Sequence, residues 1–230
     1  MAHWEAPPTQ PSTPAPLGSE ARYNDAHVDR VILLPTAETH PKGTVTLSSY
    51  EFVFLQAGYA VSDRVQVSLT FLPPLEREPV VFADASLKGV IVRDKRVRVA
   101  ATASATGIFG LEQGEGAVGR LGGVTQLCFD DACRSSASAA ANWILVGPAM
   151  LLLNGIGFVA RTSDLIALLF EFQSLVPLGR EAAQAHGIAG AIGVRFSGPR
   201  WAIDVALGAP VGPTGNLPGV LPILAGTYRF

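Results

Sequence analysis

From Arg64 to Phe71 the chain reads RVQVSLTF, so that Val65, Val67, Leu69 and Phe71 alternate with Arg64, Gln66, Ser68 and Thr70. A strict period of two predicts a strand with one apolar and one polar face. The pattern returns over 95–110, where Val97, Val99, Ala101, Ala103, Ala105 and Phe109 stand opposite Arg98, Thr102, Ser104 and Thr106. Further on, Ile166, Leu168, Phe170 and Phe172 oppose Glu171 and Gln173, and Trp201, Ile203, Val205 and Leu207 oppose Asp204. The expected class is all-β.

The alternation breaks at short polar stretches: Ser62-Asp63, Arg93-Asp94-Lys95-Arg96, Phe129-Asp130-Asp131-Ala132, Arg161-Thr162-Ser163-Asp164 and Ser197-Gly198-Pro199-Arg200. Asp, Ser, Gly and Pro are the residues that tight turns select. Centred on 62, 94, 130, 162 and 198, these turns lie 32, 36, 32 and 36 residues apart, and a further 32 reaches Phe230. Each period holds two strands, a tight turn and a longer connection, the arrangement of a membrane-spanning barrel. The longer connections fall at 72–80, 111–116, 177–187 and 210–219, whereas Gly147-Pro148 is short where a long one is expected.

Two strands between successive turns give eleven strands from Thr44 onward. A bacterial antiparallel barrel closes with an even number, so a twelfth is expected before Thr44, and HVDRVILL at 27–34, followed by the loop 35–43, is its candidate. The expected fold is a transmembrane, antiparallel, up-and-down β-barrel of about twelve strands over 26–230, with both ends on the tight-turn side. A Pro-rich segment, expected to be disordered, occupies 1–25.

Composition supports a membrane. The 230 residues carry 17 Lys+Arg and 19 Asp+Glu, a net charge of -2, and charged residues amount to 16 %, against roughly 25 % in soluble domains. That is too little charge for a disordered chain, a coiled coil or a nucleic-acid binder. Only helices and closed barrels satisfy all backbone polar groups inside a bilayer. The best uncharged run, 135–160, has Gly147-Pro148 at its middle and contains Asn142 and Asn154, which makes it a poor spanning helix.

The last ten residues, LPILAGTYRF, place Leu224, Tyr228 and Phe230 on one face of the final strand and Thr227 and Arg229 on the other. In this the chain resembles bacterial outer-membrane β-barrel proteins. In that class a terminal Phe with an aromatic two residues earlier is the recognition signal for the barrel-assembly machinery, a role the resemblance gives to Phe230 and Tyr228. The stretch 35–71 is also similar to a group of outer-membrane proteins without assigned activity, through Pro35-Thr36-Ala37, Pro41-Lys42-Gly43, Tyr50-Glu51, Gly58-Tyr59 and Asp63. The resemblance implies fold and location: the outer membrane, with its lipid and the assembly machinery as partners. Residues 1–25 contain no apolar core of an export signal, so either the start is assigned downstream of the real one, or this is a processed form carrying a new Met, or the protein is not exported; the first two are expected.

Alternation also assigns the faces. The outward set expected includes Phe52, Phe54, Val65, Val67, Val97, Leu168, Phe170, Ile192, Val194, Trp201 and Tyr228, and aromatic residues beside tight turns, Phe196, Trp201, Tyr228 and Phe230, suit an interfacial girdle. The inward set expected is Glu51, Asp84, Lys88, Arg98, Arg120, Glu171, Arg195, Asp204 and Arg229, four acids and five bases. Unpaired buried ions cost several kcal/mol each, so such a lumen is either a paired network that seals the barrel or a small polar pore whose charges line the path of a solute.

Chemistry is sparse. The histidines are His3, His27, His40 and His186, none at a family spacing from Ser or Asp, and His186 reads as a solvated loop residue. No metal-ligand cluster or phosphate-binding Gly loop appears, and no cofactor is expected. Cys128 and Cys133 bracket a turn at a separation that suits a disulfide in an oxidising compartment. The expected function is a structural or small-solute pore-type barrel without enzymatic activity and without a nucleic-acid partner. Alternatives are a soluble lipocalin-like barrel holding an apolar ligand, and a barrel enzyme acting on lipid.

Overall fold

The computed structural model describes residues 25–51, 53–72, 81–109, 116–179, 186–210 and 219–230. Twelve antiparallel strands close into a barrel in chain order: β1 (Val45–Tyr50), β2 (Phe54–Ser62), β3 (Val65–Leu72), β4 (Val81–Arg93), β5 (Val97–Phe109), β6 (Gly116–Cys128), β7 (Ser135–Val146), β8 (Ala149–Arg161), β9 (Ile166–Pro177), β10 (Gly187–Ser197), β11 (Trp201–Pro210) and β12 (Leu221–Arg229). β12 pairs with β1 from Thr46 opposite Arg229 to Tyr50 opposite Ala225, so the first and last strands form the seam. All five polar stretches are tight turns at one end of the barrel. Gly147-Pro148 joins β7 to β8 directly, with Gly147 at φ +55°, where glycine carries no Cβ penalty. The connections expected at 72–80, 111–116, 177–187 and 210–219 lie largely outside the described residues, as do 1–24.

Twelve strands are present, but the first is not the one expected. Residues 27–34 are not part of the wall, and the stretch from Thr44 to Ser62 supplies two strands, β1 and β2, where one was anticipated. The chain reverses at Glu51, which adopts φ +53°, and Val53 N–H donates to the Tyr50 carbonyl at 3.0 Å. Two constraints explain the difference. Transmembrane strands run about 9–11 residues, too few to use up the span from Thr44 to Ser62. A strand over 27–34 would also have to turn either His27 and Asp29 or Arg30 toward lipid, where an arginine costs about 2–4 kcal/mol near the midplane and an acid somewhat less.

The reversal at Glu51 also changes two side-chain assignments. Glu51 lies exposed in the turn, where its Oε1 accepts from Leu224 N–H at 2.9 Å, and so it does not line the lumen. Phe54 faces inward, because Leu55, Ala57 and Tyr59 hold the outward positions of β2. Phe52 lies outside the described residues. Elsewhere the faces follow the alternation: Val67, Val97, Leu168, Phe170, Ile192, Trp201 and Tyr228 are exposed on the outer wall, with Val65 and Val194 half-buried among them.

The core sits inside the barrel. Val31, Ile32, Leu34 and Ala37 pack against Val90, Ala100, Val124, Ala140, Leu169 and Ala206 on the inner wall. Small residues there make the room. A Cβ at Gly157 would lie 2.8 Å from Val31 Cγ2, and one at Gly155 would run into Leu34.

Candidate functional site in the barrel lumen

Residues 25–44 fill the tight-turn half of the lumen before the chain enters β1. The segment folds over on itself: Val31 N–H donates to the Leu34 carbonyl at 2.8 Å and Thr36 N–H to the Asp29 carbonyl at 3.0 Å, with Arg30 and Pro35 bridged. Its return limb is tied to the β2–β3 turn, where Asp63 accepts from Lys42 N–H at 2.8 Å through its carboxylate and from Thr39 Oγ1 at 2.7 Å through its carbonyl. Nearly every residue from 25 to 40 is buried or half-buried, the exception being Leu33 at the tip.

Arg195 on β10 holds the centre. Its guanidinium donates to both carboxylate oxygens of Asp204 on β11 at 2.7 and 2.8 Å, to Asp25 at 3.3 Å, and to the carbonyls of His27 at 2.9 Å, Arg30 at 3.2 Å and Val31. Arg161, at the end of β8, donates to Asp25 at 2.8 Å. Burial alone would raise Asp25, but the adjoining Arg195 and Arg161 hold its carboxyl below the usual range. Burial lowers His27 against the pull of Asp204, so the ring is neutral: Nδ1–H donates to Asp204 Oδ2 at 2.9 Å, and Nε2 accepts from Thr227 Oγ1, which accepts in turn from Ser48 at 2.6 Å.

A second anchor is Glu171 on β9. Its Oε2 accepts from three successive backbone N–H groups, Ile32, Leu33 and Leu34, each at 2.9 Å, while Gln173 donates to Oε1. A third group lies on the other side. Lys88 donates to the carbonyls of Asp29 at 2.8 Å and Glu38 at 3.0 Å, Gln66 donates to Asp29 at 3.0 Å, and Arg98 and Arg93 pair with Glu38, the latter at 3.7 Å. Burial would raise Asp29, yet Arg30 and Lys88 keep it well below the ordinary carboxylate value. Burial pushes His40 down to about 4 against Asp29, 3.9 Å away.

Of the nine residues expected inside, Lys88, Arg98, Glu171, Arg195 and Asp204 thus hold the inserted segment. Arg229 is half-buried near the tight-turn rim and donates to the Pro199 carbonyl. Asp84 and Arg120 belong to the other half of the lumen, an open vestibule whose floor is the tip of the segment. Sequence reasoning missed the partners Asp25, His27, Asp29, Glu38 and His40, and also Arg161. Their signal is present: acidic or titratable groups fall on both alternating faces of 25–40, which no lipid-facing strand can carry.

Thr227, His27 and Asp204 are connected like the triad of an acyl-transfer enzyme. Thr227 is only 6 % exposed and the other two are fully buried, so no substrate carbonyl can reach Oγ1. The chain of bonds ties the segment to the seam. His186 is exposed, and Cys128 and Cys133 are joined as a disulfide with Cα atoms 4.8 Å apart.

No protein-family model and no curated protein sequence matches the chain. Among solved structures, the barrel resembles the KdgM porin. The two agree with a TM-score of 0.61 at 8 % identity, over 81 % of this chain and 99 % of that one. KdgM in complex with disordered oligogalacturonate gives 0.59 at 8 % identity, over 81 % and 98 % of the two chains. The outer-membrane protein Omp33 of Acinetobacter baumannii gives 0.48 at 11 % identity, over 81 % and 97 %. With KdgM, at 8 % identity, the likeness is one of fold: a closed antiparallel barrel of outer-membrane type.

Proposed function

We propose that this chain is an integral outer-membrane barrel of pore type, without enzymatic activity, closed at its tight-turn end by its own residues 25–44. The observation that carries the reading is the division of the wall. Outside, large apolar side chains such as Ile192, 65 % exposed, and Leu207, 55 % exposed, form a belt that water would penalise at about 25 cal/mol per Å². Inside, charges are paired to a segment that is not part of the wall. Short turns face the periplasm in barrels of this type, so the vestibule opens outward and a small polar solute crosses only when the segment moves. Tyr228 on β12 and Phe230 just after it are exposed, which suits their proposed reading by the barrel-assembly machinery.

The test is planar-bilayer conductance of protein that shows heat-modifiable migration and fractionates with outer membranes. Intact protein is expected to be largely silent. Gly155→Val, which puts side-chain atoms where Leu34 now packs, is expected to give stepwise currents. A chain soluble without detergent, or a folded variant as silent as the parent, overturns the reading.

A further inference from the structure

The vestibule above the inserted segment has a volume of about 450 Å³, within the range of roughly 300–1,000 Å³ typical of small-molecule sites. Its chemistry is uneven. On the β1–β4 side Tyr50, Phe54 and Phe82 form an aromatic wall, with Phe54 and Phe82 edge to face at 5.7 Å between ring centres. The floor presents Leu33, 54 % exposed although it lies within the barrel.

The neutral polar groups are mostly spent on one another. Gln56 donates to Thr70 at 2.9 Å, Ser68 and Ser86 share a bond of 2.6 Å, Thr102 donates to Asn142 at 2.9 Å, and Thr106 donates to Asp84 at 2.6 Å. A polyhydroxylated ligand would find few free donors or acceptors there. Arg30 and Lys88 are occupied with Asp29 and with backbone carbonyls.

Arg120 is different. It lines the vestibule from β6, five strands round the ring from β1, and has no ion pair or hydrogen bond among the described residues. Directly opposite it in register on β5 is Ser104, whose Oγ is buried and also lacks a partner. A cation without a partner among the described residues, lining one cavity with an aromatic wall and an apolar floor, is the complement of an amphipathic anion.

Building on the pore-type reading above, we propose that the vestibule binds a small monocarboxylate with a ring as its apolar body. The carboxylate sits on Arg120, and the ring lies against Leu33 and the Tyr50–Phe54–Phe82 wall. A neutral apolar molecule would leave Arg120 facing hydrocarbon, and a bare acetate would leave the aromatic wall wet.

The test is calorimetric titration of the full chain, in detergent and in its heat-modifiable form, with phenylacetate, acetate, 2-phenylethanol and galacturonate. Phenylacetate is expected to bind at least about tenfold more tightly than the other three, the scale of one hydrogen bond to a charged group. Arg120→Gln is expected to reduce it to the level of 2-phenylethanol, and Arg120→Lys to retain most of the affinity. Phenylacetate no tighter than acetate, galacturonate binding tighter than phenylacetate, or an unaffected Arg120→Gln variant overturns the proposal while the barrel reading stands. A chain that never reaches the heat-modifiable state sinks both.

Discussion

The two halves of the lumen meet the same requirement, polar surface turned away from lipid, in opposite ways. In the tight-turn half, ions from the wall are matched by ions and backbone groups of residues 25–44, and water is excluded: Arg98, Arg195, His27 and Asp204 are at most 1 % exposed. In the vestibule half, short hydroxyl and amide side chains pair across neighbouring strands and the centre stays open. A charge can be buried where the chain itself supplies the counter-charge in a fixed geometry. In the open half the inner wall is mostly Ser, Thr, Asn and Gln, whose bonds survive contact with water, and its charged Asp84 and Arg120 face the open centre. The halves should therefore differ sharply in how much a single partner matters.

The largest effect is expected from Arg195→Ala, which takes the guanidinium away from Asp204, Asp25 and three carbonyls in the sealed half. Loss of one member of a buried ionic group costs about 3–5 kcal/mol, read as a lower midpoint of urea-induced unfolding from detergent or lipid. A midpoint unchanged within error would mean the sealed half is not held by this arginine.

A smaller and graded effect should follow pH. His40, on the inserted segment, is held to about 4 by burial, against Asp29 and with Lys88, Arg229 and Arg30 nearby, while an expelled segment titrates near 6.5. Above 6.5 neither state takes up the proton and the segment is fully held. As pH falls from 6.5 toward 4 only the expelled state binds it, so retention weakens, and His27, also lowered by burial, acts in the same direction. Conductance recorded from pH 7.5 to 4 is expected to rise over that window, with a shallower rise in His40→Gln; a flat profile sinks the idea.

The smallest effect belongs to the open half. Ser68→Ala removes one partner of the Ser68–Ser86 bond, and water can replace it, so the cost is expected to be roughly 1 kcal/mol or less. Were that variant as damaging as Arg195→Ala, the contrast between the halves would fail.

Strands were legible in the sequence because their evidence is local. Period two along β3, β5, β9 and β11 needs no knowledge of distant partners, and the turn residues mark where it stops. The inner face of the strands was legible for the same reason: Lys88 on β4, Arg98 on β5, Glu171 on β9, Arg195 on β10 and Asp204 on β11 all fall on it by alternation, and all touch the inserted segment. The inserted segment was not. Residues 27–34 alternate well enough to imitate a strand, and what disqualifies them is a cost in lipid that appears only when both faces are priced together. Glu51 was misplaced because nothing in Tyr50-Glu51 signals a reversal: its φ of +53° falls on a residue with no special liking for that region. Phe54 followed it to the wrong face. Arg161 was hidden inside a stretch already explained as a turn.

The seam has a consequence for the order of events during biogenesis. Residue 46 meets residue 229, so the ring closes only when the last strand has been delivered, and pairings this distant in sequence are slow to form. The inserted segment immediately precedes β1, and Thr227 of β12 reaches it through His27. Closure and filling therefore share one gatekeeping step. A chain that pairs β12 with β1 before the segment is seated has to thread it afterwards into a closed cylinder, so correct filling is easiest while the seam is still open.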